Sequence, residues 1–481
     1  MLYGRILLIF SLVISGCAST NPPVENILAI DRDGNAEYPG RTLAWDNTLK
    51  DDKECYIKDN LEEVEECYIE RLLKTEQNKI IIYIHGGLNH PSQATDKAKD
   101  LIDLIKVTDD AYKPLFIHWR SALYSTYKEH LFHDRQGEYW GIGGYLTTPF
   151  VLLEDLGRGL SRAPMVLLKT ANNYIKSIRF GETPGEHNAA LLSEYVKSNR
   201  GSGNSFVSGF GELPVLNDER GMAERVSDGL INFAQMGLSL TTAPLFDVIG
   251  TSAWATMKRR TEIMFTKTKS IGGKYDSVNH IKQREGIATK LFDRLARKQK
   301  YEKTKMVLVG HSMGTIIANK ILSNWPEIEF EKIIYMGAAS SIDDYRLSVL
   351  PYMRIYKETV FYNYSLHPIA ENTDSYYIGF GGTGSLLTQI DNFYEDPTTE
   401  DQRTLGRWAN VMNGINYLMD KDDSVTSRLC FRTFPLGGGY PSKHGDFDEI
   451  KFITKGRFWT GELGNEDGYK LKSKCIGRNN S

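Results

Sequence analysis

The chain has 481 residues, and its 58 lysines and arginines nearly balance 61 aspartates and glutamates, giving a formal net charge of −3. A charge this close to balance excludes the strongly basic footprint of a nucleic-acid-binding protein. A hydrophobic content of 41% is enough for a sizeable core, and a single α/β domain with insertions can reach this length.

Residues 1–16 have the pattern of a secretory signal peptide, with a positively charged start and an apolar run over residues 6–15. This run is too short to cross a hydrocarbon core of about 30 Å as a helix. It ends in the sequence ISGC at residues 14–17, which resembles the lipobox of bacterial lipoproteins. The resemblance implies that the signal peptide is removed and that Cys17 carries a lipid. Because Ala18 rather than aspartate follows, it also implies the outer membrane, facing the periplasm. An ordinary secretory signal with a chance cysteine is the alternative.

Residues 17–40 contain three prolines and scattered polar residues, which predicts a tether between the lipid and a domain over 41–481.

Apart from Cys17, the chain has four cysteines: Cys55, Cys67, Cys430 and Cys475. An even number in an exported chain favours disulfides, and four cysteines allow three pairings. Proximity in sequence favours Cys55–Cys67 and, more weakly, Cys430–Cys475, with free buried thiols as the alternative. The cysteine and histidine spacing does not indicate zinc, so we expect no metal.

Six short apolar runs, rich in β-branched and aromatic residues, predict strands that are buried on both faces. They are Lys79–His85, Lys113–Trp119, Lys305–Val309, Lys332–Met336, Glu358–Tyr364 and Arg428–Phe434. Helical patterns alternate with them over Ser92–Val107, Met313–Asn324 and Gln402–Met419. This alternation predicts an α/β fold, with a mostly parallel central sheet and helices on both faces.

Roughly 185 residues separate the second predicted strand from the third, far more than a crossover helix needs. The interval includes two helix-like apolar segments, Tyr145–Ile178 and Gly237–Phe265. We therefore predict a large helical cap inserted at about residues 120–300. A separate domain without a link to the site is the alternative.

The sequence Gly310-His311-Ser312-Met313-Gly314 matches the G-x-S-x-G pattern of a nucleophile elbow. An apolar strand directly precedes it and a helix-like run directly follows, which is the context that a nucleophile elbow requires. Side chains at Gly310 and Gly314 would collide with neighbouring elements in so tight a turn. The serine oxygen would stand at a helix N-terminus, where developing negative charge is favoured.

A nucleophilic serine needs donors for the tetrahedral oxyanion, and the first predicted strand ends in His85-Gly86-Gly87-Leu88. Glycines let a backbone N–H point at the oxygen without a side chain in the way. This segment resembles the HGG motif of esterases and lipases, which assigns Gly86 and Gly87 to the oxyanion hole together with the N–H of Met313. A plain Gly-Gly turn is the alternative.

The order serine, acid, histidine in this kind of site requires a late histidine. His444 follows the last predicted strand and is our candidate for the base, whereas His367 lies where the acid is expected. A histidine in a surface loop is the alternative for His444. For the acid, Glu371 is our first choice, and Asp343, which follows the preceding strand, is its rival.

Together these residues resemble the α/β-hydrolase superfamily over about residues 75–125 and 300–460. The resemblance implies a serine hydrolase that cleaves carboxylic esters, of which acyl-chain or lipid-derived esters fit the predicted anchor. Such a hydrolase needs no cofactor. The expected partners are a small-molecule or lipid-derived substrate and the membrane. Two alternatives remain: an acyltransferase with the same site, and a non-catalytic envelope-binding lipoprotein.

Cys17→Ser is expected to abolish incorporation of labelled palmitate, because the cysteine thiol is the acceptor that the lipobox presents. Metabolic labelling followed by fluorography measures the incorporation, and Cys55→Ser is the control, which should keep the label. Wild-type labelling of Cys17→Ser would contradict the predicted anchor.

Overall fold

The computed structural model describes residues 26–36, 61–87, 91–109, 111–135, 138–139, 141–180, 243–244, 247–265, 267–269, 283–366, 371, 374, 384–434, 441, 443–449, 452 and 459. The signal peptide, Cys17, Cys55, Leu88, His367 and Cys475 lie outside these residues. Of the four cysteines expected in disulfides, Cys67 and Cys430 are described, and both are disulfide-bonded. The pairing itself stays a prediction.

The described residues form eleven strands: β1 (Ile27–Ile30), β2 (Lys79–Ile84), β3 (Tyr112–Trp119), β4 (Asp134–Arg135), β5 (Glu138–Tyr139), β6 (Lys267–Lys269), β7 (Gln283–Glu285), β8 (Lys305–His311), β9 (Phe330–Met336), β10 (Val360–Leu366) and β11 (Leu429–Phe434). Seven of them build one all-parallel sheet in the order β1-β3-β2-β8-β9-β10-β11. The other four form two short antiparallel ribbons, β4-β5 and β6-β7.

The α-helices that the structure describes are α1 (Leu61–Leu73), α2 (Pro91–Thr108), α3 (Leu123–Phe132), α4 (Gly141–Phe180), α5 (247–263), α6 (Ile287–Glu302), α7 (Gly314–Asn324), α8 (Ile342–Ile355), α9 (Leu386–Gln389), α10 (Trp408–Asn413), α11 (Ile415–Leu418) and α12 (Asp423–Thr426). Short helical turns of other types lie at Ile390–Tyr394, Glu400–Gln402 and His444–Asp448. No helix among the described residues is both long enough and apolar enough to cross a membrane.

Alternate residues of the central strands face two separate cores. In β2, Ile80 and Ile82 contribute to one core, whereas Ile81 and Tyr83 contribute to the other. Helices α1, α6, α7 and α8 complete the first core, and α2 contributes to the second together with aromatic residues near the C-terminus. The expected parallel sheet with helices on both faces is therefore confirmed.

The parallel register brings the carboxyl ends of neighbouring strands to one edge of the sheet. Ile84 of β2 pairs with Gly310 of β8, and His311 pairs with Met336 of β9. The segments that follow β2, β8 and β9 consequently meet at this edge, which is where ligands bind in open parallel sheets.

The predicted strands agree with the structure to within about two residues at each end, but two regions differ from expectation. Residues 27–30, assigned to the tether, form the buried edge strand β1, and the Asn26 side chain donates to the Pro114 carbonyl at 2.7 Å. The single helix expected over Gln402–Met419 is broken into shorter pieces, α10 and α11, which meet at Gly414.

Candidate active site

Ser312 occupies the turn between β8 and α7 with a φ of 50°. This left-handed conformation costs a non-glycine residue about 1–3 kcal/mol and persists only where its surroundings enforce it. The Ser312 N–H donates to the Met336 carbonyl at 2.9 Å. The Ser312 carbonyl accepts from the backbone N–H groups of Thr315 and Ala339, both at 3.1 Å. Hydrogen bonds of both the N–H and the carbonyl of Ser312 thus hold the turn in place.

The two glycines of the elbow lie where no side chain fits. A Cβ on Gly314 would lie 2.3 Å from the Ile84 carbonyl oxygen, at the end of β2. A Cβ on Gly310 would lie 3.0 Å from the backbone nitrogen of Thr315. Glycine at position 314 lets the start of α7 approach the end of β2 this closely, and the contact of Gly310 with α7 is tight but less severe.

The Gly-Gly segment after β2 passes directly beside the nucleophile. A Cβ on Gly86 would lie 2.8 Å from the Cβ of Ser312, and a Cβ on Gly87 would lie 2.5 Å from the Sδ of Met313. The structure therefore brings together all four residues that the sequence assigns to the nucleophile and the oxyanion hole.

The orientation of this segment depends on His85, a residue without an assigned role in the sequence interpretation. The backbone N–H of Trp119 donates to His85 Nε2 at 3.1 Å, which places the ring proton on Nδ1. That proton is donated to the Gly86 carbonyl at 2.6 Å, and Ser121 Oγ donates to the same carbonyl at 3.3 Å. Since the peptide is planar, fixing this carbonyl also fixes the direction of the Gly87 N–H.

Burial keeps His85 neutral. Desolvation, followed by the neighbouring His118, lowers the pKa of His85 from 6.5 to about 3. A neutral ring keeps one donor and one acceptor nitrogen, as both of its hydrogen bonds require.

His444 lies at the same edge of the sheet, at the start of the helical turn His444–Asp448. A Cβ on Gly337, which directly follows β9, would lie 2.8 Å from the Nδ1 of His444. The His444 ring also packs against the ring of His311, with 5.3 Å between centroids. His444 thus lies beside the residues that flank Ser312.

Polar atoms of the two proposed reactive side chains lack partners. Ser312 Oγ and both ring nitrogens of His444 are buried and make no hydrogen bond within the described part of the chain. Buried polar atoms are seldom left unpaired, and each one costs about 1–3 kcal/mol. A ligand bound beside Ser312 and His444 would supply partners for these atoms.

The pKa of His444 is lowered well below its usual value, first by burial and then by the nearby His311. The imidazole is therefore neutral at neutral pH. A neutral imidazole is able to accept a proton from a serine hydroxyl, which is the property that a general base needs.

The backbone of His444 is held from two sides by residues that the sequence interpretation missed. Its N–H donates to Asp374 Oδ2 at 2.8 Å, and its carbonyl accepts from His311 Nε2 at 3.3 Å. His311 Nδ1 lies 3.7 Å from Asp448, whose carboxylate pairs with Lys97 at 2.8 Å. No local sequence signal marks these residues, because each acts through a contact that is distant in sequence.

The structure does not join either candidate acid to the His444 ring by a hydrogen bond. Glu371 is buried, accepts a short hydrogen bond from Ser385 Oγ, and lies 3.9 Å from the Nε of Arg407. Asp343 lies in the first turn of α8 and pairs with Arg346 at 2.6 Å. The identity of the acid stays a prediction.

Burial raises the pKa of Glu371 from 4.5 to about 7, although the guanidinium of Arg407 and the hydrogen bond from Ser385 act in the opposite direction. Asp374, whose own pKa is also raised by burial, contributes to this shift. A buried carboxyl group whose pKa is raised toward neutral pH is a frequent feature of functional sites.

Comparison of the chain with models of known protein families, with curated proteins and with solved structures finds no match.

Glu371→Gln is expected to change how stability depends on pH. The folded-state pKa of Glu371 is about 7, above the usual 4.5, so its contribution to the free energy of unfolding is lost as the pH rises through 7. The neutral amide avoids this loss. As the pH rises from 5 to 9, the free energy of unfolding of the variant should increase by about 2.5 kcal/mol relative to that of wild type.

Urea unfolding across this pH range measures the effect, with Asp343→Asn as a control at a carboxylate on the surface. Parallel pH profiles for wild type and Glu371→Gln would contradict the raised pKa.

Proposed function

We propose that the chain is a serine hydrolase of the α/β-hydrolase type, which cleaves carboxylic esters through an acyl-enzyme on Ser312. The observation that carries the proposal is the left-handed turn at Ser312, between a strand and a helix at the carboxyl edge of a parallel sheet. The strand order supports it, because β8 lies in the middle of the sheet and β2, which precedes the Gly-Gly segment, is its direct neighbour.

In the proposed reaction, Ser312 Oγ attacks the acyl carbon of the ester while His444 accepts its proton. The negative charge that develops on the carbonyl oxygen is stabilised by the N–H groups of Met313 and of the Gly86-Gly87 segment. His444 then returns the proton to the leaving alcohol. Water, activated by the same histidine, releases the acid and restores the serine. No step requires a metal or a cofactor.

A hydrogen bond between Ser312 and His444 is expected to form when substrate binds. In unliganded sites of this kind the contact between nucleophile and base is often long, and it tightens in the substrate complex. The neutral state of His444 and its fixed backbone support this role, since only the side chain has to adjust.

For the acid we keep Glu371 as the first candidate and Asp343 as its rival, and we add Asp374. Two observations support Asp374: its carboxylate accepts a hydrogen bond from the backbone N–H of His444, and the residue is buried. Glu371 interacts electrostatically with Asp374, so the two carboxyl groups belong to one buried neighbourhood.

We further propose that helices α3 to α5 form the helical cap of this fold, and that acyl-chain or lipid-derived esters are the substrates. Support for the cap comes from the position of these helices in the chain, after β3 and before β8, the strand that leads to Ser312. The predicted lipid at Cys17, which would keep the domain beside a membrane, supports the substrate class.

A non-catalytic envelope-binding protein is the second candidate function. One observation favours it: Ser312 is only 1% exposed, so a substrate reaches the hydroxyl only after neighbouring groups move. Covalent labelling of the serine distinguishes the two functions.

Ser312→Ala is expected to abolish labelling by a fluorophosphonate and to lower ester turnover by roughly 10³-fold or more. Thermal stability should change little, because the substitution removes a single hydroxyl that has no hydrogen-bond partner in the described residues. Gel fluorescence and a nitrophenyl ester assay measure these effects, and Ser323→Ala, on the exposed side of α7, is the matched control. Undiminished labelling of Ser312→Ala would overturn the proposal.

His444→Ala should lose about as much activity as Ser312→Ala, since the members of a triad act as a unit. An acid that orients the imidazole matters less, so Glu371→Gln should lose less activity and Asp343→Asn should lose little. Values of kcat/KM at a pH where every variant is folded give the ranking. If Asp374→Asn loses more activity than both, the acid is Asp374 rather than either residue predicted from sequence.

A further inference from the structure

Helix α4 presents an apolar stripe to the outside of the molecule. The stripe consists of five large side chains that are each between 66% and 75% exposed: Leu146, Phe150, Leu153, Leu160 and Leu168. Their spacing of three, four, seven and eight residues places them on one side of a helix. A single exposed leucine is ordinary, but an aligned series of them is not.

The stripe is long and is built from uncharged side chains, with the exposed Glu154 at its margin. From Leu146 to Leu168 it extends over 22 residues, or about 33 Å along the helix. Pro149, Leu156 and Pro164 extend it with further apolar side chains. Contiguous apolar surfaces of this kind mark places where a protein meets another surface.

Polar contacts attach the opposite side of α4 to the protein, so the stripe faces outward. Asp155 is buried and accepts a hydrogen bond from Ser252 of α5 at 3.0 Å. Arg162 pairs with Asp247 of α5 at 3.2 Å, and Lys169 donates to the Asn392 carbonyl at 2.9 Å. The side of the helix that faces the protein therefore carries these polar residues together with the buried Val166, and the large apolar residues of the stripe face away.

We propose that α4 lies on a lipid bilayer, with the apolar stripe at the boundary between headgroups and acyl chains. An apolar face opposite a charged one is the pattern of helices that lie in this interface. The helix does not meet the requirements for crossing the membrane.

The predicted anchor favours lipid over other occupants of the stripe. Cys17 precedes the first described residue, Asn26, by nine positions, and nine residues span at most about 32 Å. A lipid on Cys17 thus keeps the domain within that distance of the bilayer. The docking surface depends on this anchor but is independent of the proposed hydrolase activity.

The test uses the lipidated full chain in vesicles of phosphatidylethanolamine and phosphatidylglycerol, with an environment-sensitive fluorophore on Leu153→Cys. Tyr301→Cys is the matched control, because Tyr301 is an 80% exposed apolar residue at the end of α6, outside the stripe. Leu160→Cys provides a second position on the stripe should the first variant fold poorly.

We expect brominated phospholipids to quench the label at position 153 at least twofold more than the label at position 301. Iodide in the aqueous phase should show the opposite preference. Equal quenching of both labels by iodide would overturn the proposal, because the stripe would then face water. A label at 153 that neither quencher reaches would also overturn it, because protein would then cover the stripe, either residues 181–242 or a second copy of the chain.

The palmitate experiment on Cys17 separates a missing anchor from a missing docking surface. Fluorophosphonate labelling of Ser312 is unaffected by either result, so failure of the docking surface and failure of the proposed hydrolase are distinguishable.

Discussion

Contact between the carboxyl end of β2 and the turn at Ser312 is the constraint on which the rest of the site depends. Pairing of Ile84 with Gly310 brings the two segments so close that a Cβ on Gly314 would meet the Ile84 carbonyl at 2.3 Å. The same approach places Gly86 against the Cβ of Ser312. A parallel register between two central strands therefore sets both the conformation of the serine and the location of the glycines that we propose as oxyanion donors.

The site concentrates features that lower stability. A left-handed serine costs about 1–3 kcal/mol, and each unpaired buried polar atom costs a similar amount. Two apolar cores, one on each face of the sheet, offset these costs, because every buried isoleucine or phenylalanine contributes about 1.5–3 kcal/mol. Burial has a second consequence for the histidines, since desolvation keeps His85, His311 and His444 neutral. In that state His85 and His311 donate hydrogen bonds to backbone carbonyls, and His444 has the protonation state that its proposed role as general base needs.

Helix α4 shows why amphipathic periodicity alone does not reveal which side of a helix faces inward. Its apolar residues recur at helical spacing, which predicts a helix and would ordinarily place those residues in the core. Here the side of α4 that carries Asp155, Arg162 and Lys169 is the one that packs, through polar contacts to α5 and Asn392 and through Val166, which is buried against Ala243 and Phe393. The apolar side is left for a surface that the chain itself does not supply among its described residues.

The amino-acid sequence by itself determined the central strands, their alternation with helices and the tight turn at Ser312. These features are local: continuous apolar runs make buried strands, and two glycines around a serine make a turn that few other residues allow. Tertiary structure decided what depends on distant partners. The segment that begins at Ile27 forms a strand because it pairs with β3, with Ile27 opposite Phe116. His85 can orient the Gly86 peptide because its ring accepts a hydrogen bond from the backbone N–H of Trp119. Asp374 reaches His444 across 70 residues of sequence. A carboxylate becomes a candidate acid only when folding buries it beside the base, and no sequence pattern records that distance.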